Sequence, residues 1–203
     1  MNIESAISIA QKFAMGWEGK PKRNSNGDYI AFDDGYGNPT IGWGSTYYKD
    51  GSKVKFGDVI SPEVGDDLFL WELNEKANTA AKYIDNVDAM SETQFASIID
   101  LFYQGGEGNI KGSELIKAIN NGVSGDALRA IWINTVLTSR GKYSEGVFNR
   151  RKDEYLLYSG KYNQLYSFYL QNKSIIDSIA IVGGVAILAG TFYWYYRKGI
   201  IKV

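Results

Sequence analysis

From Ser178 to Tyr196 the chain reads SIAIVGGVAILAGTFYWYY, nineteen residues without a charge, bounded by Asp177 on one side and Arg197-Lys198 on the other. That is close to the roughly 20 residues a helix needs to cross a hydrocarbon core, whereas a soluble core helix rarely lacks every charge and amide over such a length. The aromatics gather at one end, Phe192 to Tyr196, as suits a belt at headgroup level. The run therefore predicts a C-terminal transmembrane helix at about 178–196 and divides the chain into a body, 1–170, and a membrane anchor, 171–203. Gly183-Gly184 permits close helix packing but is not a GxxxG motif, so oligomeric state is not legible. Arg197 and Lys198 favour a cytoplasmic C-terminus, yet residues 1 to 17 carry Glu4 and lack the pattern of a cleavable signal peptide. The sequence thus leaves membrane orientation open.

The 203 residues contain no His and no Cys. This excludes a Ser-His-Asp triad, a Cys-His pair and a zinc site of the usual ligand type, and leaves carboxylates, Lys, Tyr and hydroxyls for catalysis. No cofactor and no metal is expected. Net charge is −1, and no basic run interleaved with aromatics appears in the body, which argues against nucleic acid as a partner.

Along the body, Ile3, Ile7, Ala10, Phe13 and Trp17 repeat at the spacing of an amphipathic helix. YIAF, TIGWGSTYY and KVKF then read as three short strands separated by DDGYGNP and KDGS. Ser61-Pro62 opens a long helix running toward Asn86, with Ser at the N-cap and Pro at the first helical position. Ser91 and Gln94 form a capping-box pattern for a helix through Gln104, stopped by Gly105-Gly106. Ser113 opens a short helix that ends near Gly122, and further helical patterns cover Gly125 to Val136 and Glu145 to Ser159. The fold class is α+β, with a small N-terminal antiparallel sheet lobe, a larger helical lobe and the C-terminal transmembrane helix. A cleft between the lobes is the natural place for a site.

Two carboxylates stand out there. Glu18 follows Trp17 at the first helix end, where an aromatic neighbour would help a carboxyl keep its proton. Asp34 sits in a turn, where amides and water would keep it ionised. A protonated acid paired with an ionised partner is what glycosidic cleavage needs, and the hydroxyl of Thr40 is suited to orient an attacking water. On residue types alone, a solvated helix-end Glu and an Asp-Gly turn explain the same pattern, so both readings stand.

The combination WEG … FDDGYGNPTIGWGS resembles the phage-type lysozymes, the endolysin and muramidase family of glycoside hydrolases: Glu-Gly at the first helix end, then an Asp, five residues, and Thr-Ile-Gly-x-Gly. That gap selects Asp34 over Asp33. The segment from Met90 to Gly122 is similar to the family's central helices, and GVFNRRKDEYLLYSG to its Gly-x-x-x-Arg-Arg-x-x-Glu helix. The resemblance implies a lysozyme-like fold and cleavage of the β-1,4 bond between N-acetylmuramic acid and N-acetylglucosamine in peptidoglycan. By the same resemblance Glu18 is the proton donor, Asp34 the second carboxylate and Thr40 the water-placing hydroxyl, with inversion at the anomeric carbon. Tyr103 and Ser113 match glycan-contacting cleft positions, against plain readings as a core aromatic and an N-cap. Arg150 matches a residue beside the catalytic Glu, counted with the substrate-binding set, and Arg151 with Glu154 reads as a structural ion pair.

The sequence departs from that pattern twice. KPKRNSNGD, between Glu18 and Asp34, looks like an inserted polar surface loop, and Ser45 stands where many relatives have a supporting His. The alternatives are a lytic transglycosylase, which needs Glu18 but no water-placing carboxylate, and an inactive glycan-binding or structural membrane protein. The expected partners are glycan strands and a lipid bilayer, placing the chain in the internal membrane of a virion, for entry, or in the host inner membrane, for lysis. The virion is the favoured placement, since constitutive outward display endangers the host.

Overall fold

The computed structural model describes residues 1–139 and 141–162. The uncharged run at 178–196 lies outside the described residues, and so does the whole of the expected anchor, 171–203. Among the described residues no helix is long and apolar enough to cross a membrane.

The chain opens with α1 (Ile3–Glu18), capped by Asn2, whose side chain accepts from the Ser5 amide. Its apolar spacing buries Ala6, Ile7, Ala10, Phe13 and Ala14 on one face. After four short strands, β1 (Tyr29–Ile30), β2 (Phe32–Asp33), β3 (Pro39–Thr40) and β4 (Val59–Ile60), comes α2 (Pro62–Ala81), started by Ser61 as expected. A single 3-10 turn leads to α3 (Glu92–Gly105), whose Ser91–Gln94 capping box has both of its bonds. The one-turn α4 (Glu107–Ile110), α5 (Glu114–Asn120) and α6 (Gly125–Ile133) follow. A hairpin of β5 (Thr138–Ser139) and β6 (Lys142–Tyr143) then precedes α7 (Glu145–Tyr158).

The centre of the helical lobe is α3. Phe95, Ala96, Ser97, Ile98, Ile99, Asp100, Leu101 and Phe102 are all buried, so every face of this helix is covered, by α1, α2 and α7. Around it the main core collects Phe13, Phe69, Leu73, Leu115, Leu128 and Trp132. Tyr29, Ile41 and Val54 form a second, small core under the strands.

The strand lobe differs from the sequence reading. TIGWGSTYY does not run as one strand: Gly42 and Gly44 adopt φ of 59° and 114°, which turns the chain sharply, so Thr40 ends β3, Ile41 bridges back to Ser45, and Tyr47 meets Lys53 as an isolated bridge. KVKF meets its neighbour only at Tyr47–Lys53, with Val54 dropping into the small core. The partner of β1 is instead β4, pairing Tyr29 with Ile60, while β2 pairs with β3, placing Phe32 opposite Thr40. The helical α4 turn and the β5–β6 hairpin were not expected either; each is too short to generate a period.

The polar insertion between Glu18 and the strands is a folded turn. Asn24 N–H donates to Asp28 O at 3.0 Å, Ile30 N–H to Lys22 O at 3.0 Å, and Asn24 Oδ1 accepts from the Asn26 and Asp28 amides. Arg23 lies over the Tyr29 ring at 4.6 Å and donates to Gly27 O at 2.7 Å, which ties the insertion to β1.

Candidate active site

The end of α1 carries Glu18 into a cleft of about 510 Å³ between the strand lobe and α2–α3. Gly44, Thr46, Tyr47, Trp71, Glu72, Glu75, Lys76, Tyr103 and Gln104 complete its walls. The Glu18 side chain is 26% exposed, open enough to meet a ligand yet half enclosed by protein.

Arg150, from α7, donates through Nη1 to Glu18 Oε1 at 2.6 Å. Its other two donors grip Asp100 of α3: Nη2 to Oδ1 at 2.6 Å and Nε to Oδ2 at 2.9 Å. This is the planar two-bond geometry that a guanidinium makes with a carboxylate. Asp100 is wholly buried and Arg150 nearly so. Burial alone would depress the Arg150 pKa, but Asp100 and then Glu18 outweigh it and raise it, so the guanidinium stays charged.

Tyr103, on α3, stands beside this trio, with its ring 5.9 Å from the Arg150 guanidinium. Its hydroxyl donates to Trp43 O at 3.2 Å. Burial, with Glu18 and then Glu72 adding, pushes the phenol pKa far up, so the group remains a neutral donor. A Cβ at Gly44 would lie 3.3 Å from Tyr103 Oη and 3.7 Å from Glu18 Oε2, so at this point the backbone passes close to the acid.

Asp34 and Thr40 belong to the β2–β3 hairpin, outside the residues that line the Glu18 cleft. Asp34 Oδ1 accepts from the Tyr36 amide at 2.9 Å and the Asn38 amide at 3.2 Å, and Oδ2 accepts from Asn38 Nδ2 at 3.0 Å. Asp33 accepts from the Gly35 and Gly37 amides, so adjacent carboxylates brace the same loop. Thr40 is buried and its hydroxyl donates to Asn38 O at 3.4 Å, which links the hydroxyl to the Asp34 loop.

Ser113 stands apart from these groups. Its hydroxyl accepts from the Ile116 amide as the N-cap of α5, and it borders a separate depression of about 460 Å³ with Glu114, Ala130, Asn134 and Val136. The structure thus unites Glu18, Tyr103 and Arg150, joins Asp34 to Thr40 separately, and gives Ser113 a capping role.

Arg151 and Glu154 form the buried ion pair expected on α7, and more: Arg151 also bonds Gln104 and donates to Thr135 O at 3.0 Å. Trp132 Nε1 donates to Glu154 at 3.0 Å. Burial pushes the Glu154 carboxyl up, with Arg151 opposing it.

Two acids were missed in the sequence, Glu72 on the cleft wall and Asp100 buried behind Arg150. Asp100 is the sole charge in FASIIDLFY, and Glu72 interrupts the apolar FLWEL; a lone acid inside an apolar helical run is the signal that would have found both. Among the described residues there is no cluster of groups that could hold a metal ion.

The model of the phage lysozyme family matches residues 24–154. That match begins after Glu18, whose place rests on its helix end and its contacts. Among solved structures the chain is similar to an endolysin from Escherichia coli O157:H7 phage FAHEc1, at 25% identity and a TM-score of 0.62, covering 78% of this chain and 93% of that one. A P22 lysozyme mutant is 22% identical with a TM-score of 0.60, over 75% of this chain and 96% of that one. The muramidase domain of SpmX from Asticaccaulis excentricus is 16% identical with a TM-score of 0.56, over 73% and 93%. The last two share the fold alone. Among curated proteins none matches. With the family model spanning most of both lobes, the chain belongs to the phage lysozyme family and is a glycoside hydrolase of the muramidase type.

Proposed function

We propose that the chain hydrolyses the β-1,4 bond between N-acetylmuramic acid and N-acetylglucosamine of peptidoglycan while tethered to a membrane through residues 178–196. The observation that carries this reading is Glu18: a carboxyl at a helix end, half enclosed in the interlobe cleft, held by an arginine whose charge is already shared with Asp100. A lone cation would favour the ionised acid, and sharing it weakens that bias. Glu18 is the group that protonates the leaving oxygen.

Asp34 is the base that takes a proton from water, and Thr40 orients that water. Three donors around the Asp34 carboxylate suit a group that stays ionised. Glu18 ends α1 and Asp34 lies in the β2–β3 loop, and inversion, the outcome that the family resemblance implies, requires the two carboxyls far enough apart to admit a water. Tyr103 offers an aromatic face to a sugar ring, and Arg150 acts through Glu18. The similarity to a phage endolysin agrees with wall cleavage. The uncharged run and its aromatic end support the tether, in the internal membrane of a virion or in the host inner membrane.

The test is Glu18→Gln on purified cell walls: a folded variant that no longer releases glycan fragments is expected, and full activity would sink the assignment. Mass spectrometry of the wild-type digest should show one water added per cut. A 1,6-anhydro end would mean transglycosylation instead.

A further inference from the structure

We propose that Asp66 is a positioning residue for glycan cleavage: by holding Trp43 it fixes the backbone at Gly44 beside Glu18, and so sets how the strand lobe meets the acid. The inference rests on Glu18 being the general acid.

The loop that carries Gly44 is closed on itself. Ile41 N–H donates to Ser45 O at 2.9 Å, and the Gly44 and Ser45 amides return to Ile41 O at 3.3 and 3.1 Å. A shift of Trp43 therefore carries Gly44 with it, and Gly44 borders the cleft together with Glu18.

Trp43 is held at three points, all from the helical lobe. Its indole Nε1 donates to Asp66 Oδ1 at 2.6 Å. Its ring stacks on Phe69 with centroids 6.1 Å apart, and its carbonyl accepts from Tyr103 Oη at 3.2 Å. Asp66 and Phe69 are three residues apart on α2 and so share a face, and Phe69 in turn meets Tyr103 edge-on at 5.5 Å. Stacked rings can slide over one another. The short bond to a carboxylate oxygen is the directional contact of the three, and it decides how the indole is turned.

The same Asp66 oxygen accepts from Tyr29 Oη at 2.8 Å, and Tyr29 Oη accepts from Arg23 Nη2 at 3.3 Å. A chain of bonds thus runs from the polar insertion through Tyr29 and Asp66 to Trp43 at the edge of the cleft. The two donors on Asp66 do different work. Tyr29 is buried in the small core with Ile41 and Val54, so packing keeps its ring in place without the hydroxyl. Trp43 is half-buried where the lobes meet, and its orientation depends on Asp66.

The experiment uses the full chain and measures kcat and KM for reducing-end release from solubilised peptidoglycan strands, well below the melting temperature of each variant. Asp66→Ala should lower kcat by about 10- to 100-fold, the effect of a displacement of about 1 Å near a reacting centre, with KM changing less. Trp43→Phe keeps a ring against Phe69 and removes the nitrogen donor. It should lose kcat to a similar extent, and the double variant should lose little more than either single one. Asp66→Asn keeps an oxygen for the indole and should hold kcat close to wild type. Tyr29→Phe takes the other donor from Asp66 and should lower the melting temperature while kcat stays close to wild type. Losses of kcat that are equal in Asp66→Ala and Tyr29→Phe would make Asp66 merely structural and overturn the inference. So would an unaltered kcat in Trp43→Phe, which decides the matter if Asp66→Ala does not fold. Either result, with Glu18→Gln inactive in the same assay, leaves the acid assignment standing; an active Glu18→Gln would overturn both.

Discussion

Asp100 grips Arg150 with both carboxylate oxygens, at 2.6 and 2.9 Å, and this fixes the direction in which the remaining Nη1 points, onto Glu18 Oε1. The buried aspartate thereby sets both the place and the effective charge of the cation beside the acid. Removing it does two things. It leaves Arg150 buried with less countercharge, and breaking one partner out of a buried pair costs about 3–5 kcal/mol. It also gives Glu18 an undivided cation, which favours the ionised carboxyl. Asp100→Asn should therefore lower the unfolding free energy by about that amount in urea titration. In whatever fraction folds, the alkaline limb of wall-degrading activity should move to lower pH. An unchanged limb would mean that Arg150 does not govern the acid.

The raised Glu72 carboxyl makes a separate prediction about stability. Its folded value, about 7, lies above the ordinary 4.5, so the folded state binds this proton more tightly than the unfolded one. The resulting stabilisation is complete below about 4.5 and is lost as pH rises through about 7. Gln at this position is neutral throughout. Denaturant midpoints compared between wild type and Glu72→Gln should accordingly diverge with pH. The variant's relative stability should rise by about 1–3 kcal/mol from the acid to the alkaline side of that window. A constant difference would show that burial does not hold the proton.

The helical lobe was legible because each helix start carries a local chemical signal. Ser61-Pro62, the Ser91–Gln94 box and Ser113 all act as caps at the places their sequence indicates. Strand pairing was less legible because it depends on which distant segment reaches β1. Val59–Ile60 wins that place, and no local pattern distinguishes it from Lys53–Phe56. The site shows the same division. Glu18 and Arg150 were recognisable from their motifs, but 132 residues separate the two partners, and only the packing of α7 on α3 brings them together. Asp100 and Glu72 carry no motif. Their importance comes from burial, which a sequence reveals only as an acid stranded among apolar neighbours.

Gly65 offers a test of how the strand lobe is fastened. Exposed in a helix, Gly→Ala is stabilising by roughly 1 kcal/mol. Here a Cβ would lie 2.3 Å from Tyr29 Cδ2 and 2.6 Å from Cε2. The ring cannot swing aside easily, because it is buried and its hydroxyl donates to Asp66 Oδ1 at 2.8 Å. Overpacking of this kind costs about 1–3 kcal/mol, so the clash should outweigh the helix gain and Gly65→Ala should unfold at lower temperature than wild type. Since Tyr29 begins the strand that leads into the Asp33–Asp34 loop, activity at moderate temperature should fall as well. A variant more stable than wild type would show that Tyr29 does not anchor β1 to α2.

Asp33 and Asp34 make the same kind of loop bond, and that similarity is what lets a pair of variants separate structure from chemistry. Asp33 accepts from Gly35 and Gly37 at 2.7 and 2.8 Å, and Asp34 from Tyr36 and Asn38 at 2.9 and 3.2 Å. Asn in either place keeps a carbonyl oxygen for those amides and removes the charge, while Asp34→Asn also loses the bond from Asn38 Nδ2, so the cost in stability should be small in both, about 0.5–1 kcal/mol, and somewhat larger for Asp34→Asn. The chemical roles differ. Only Asp34 is followed at the right distance by Thr40, whose hydroxyl donates to the same Asn38 that the Asp34 carboxylate holds. Loss of a general base removes about 10²–10⁴-fold of rate. Asp34→Asn should therefore lose at least about 100-fold in reducing-end release with a near-native melting temperature, while Asp33→Asn retains most of its activity. Equal losses in the two variants would assign both aspartates to the loop and leave the water without its proposed base.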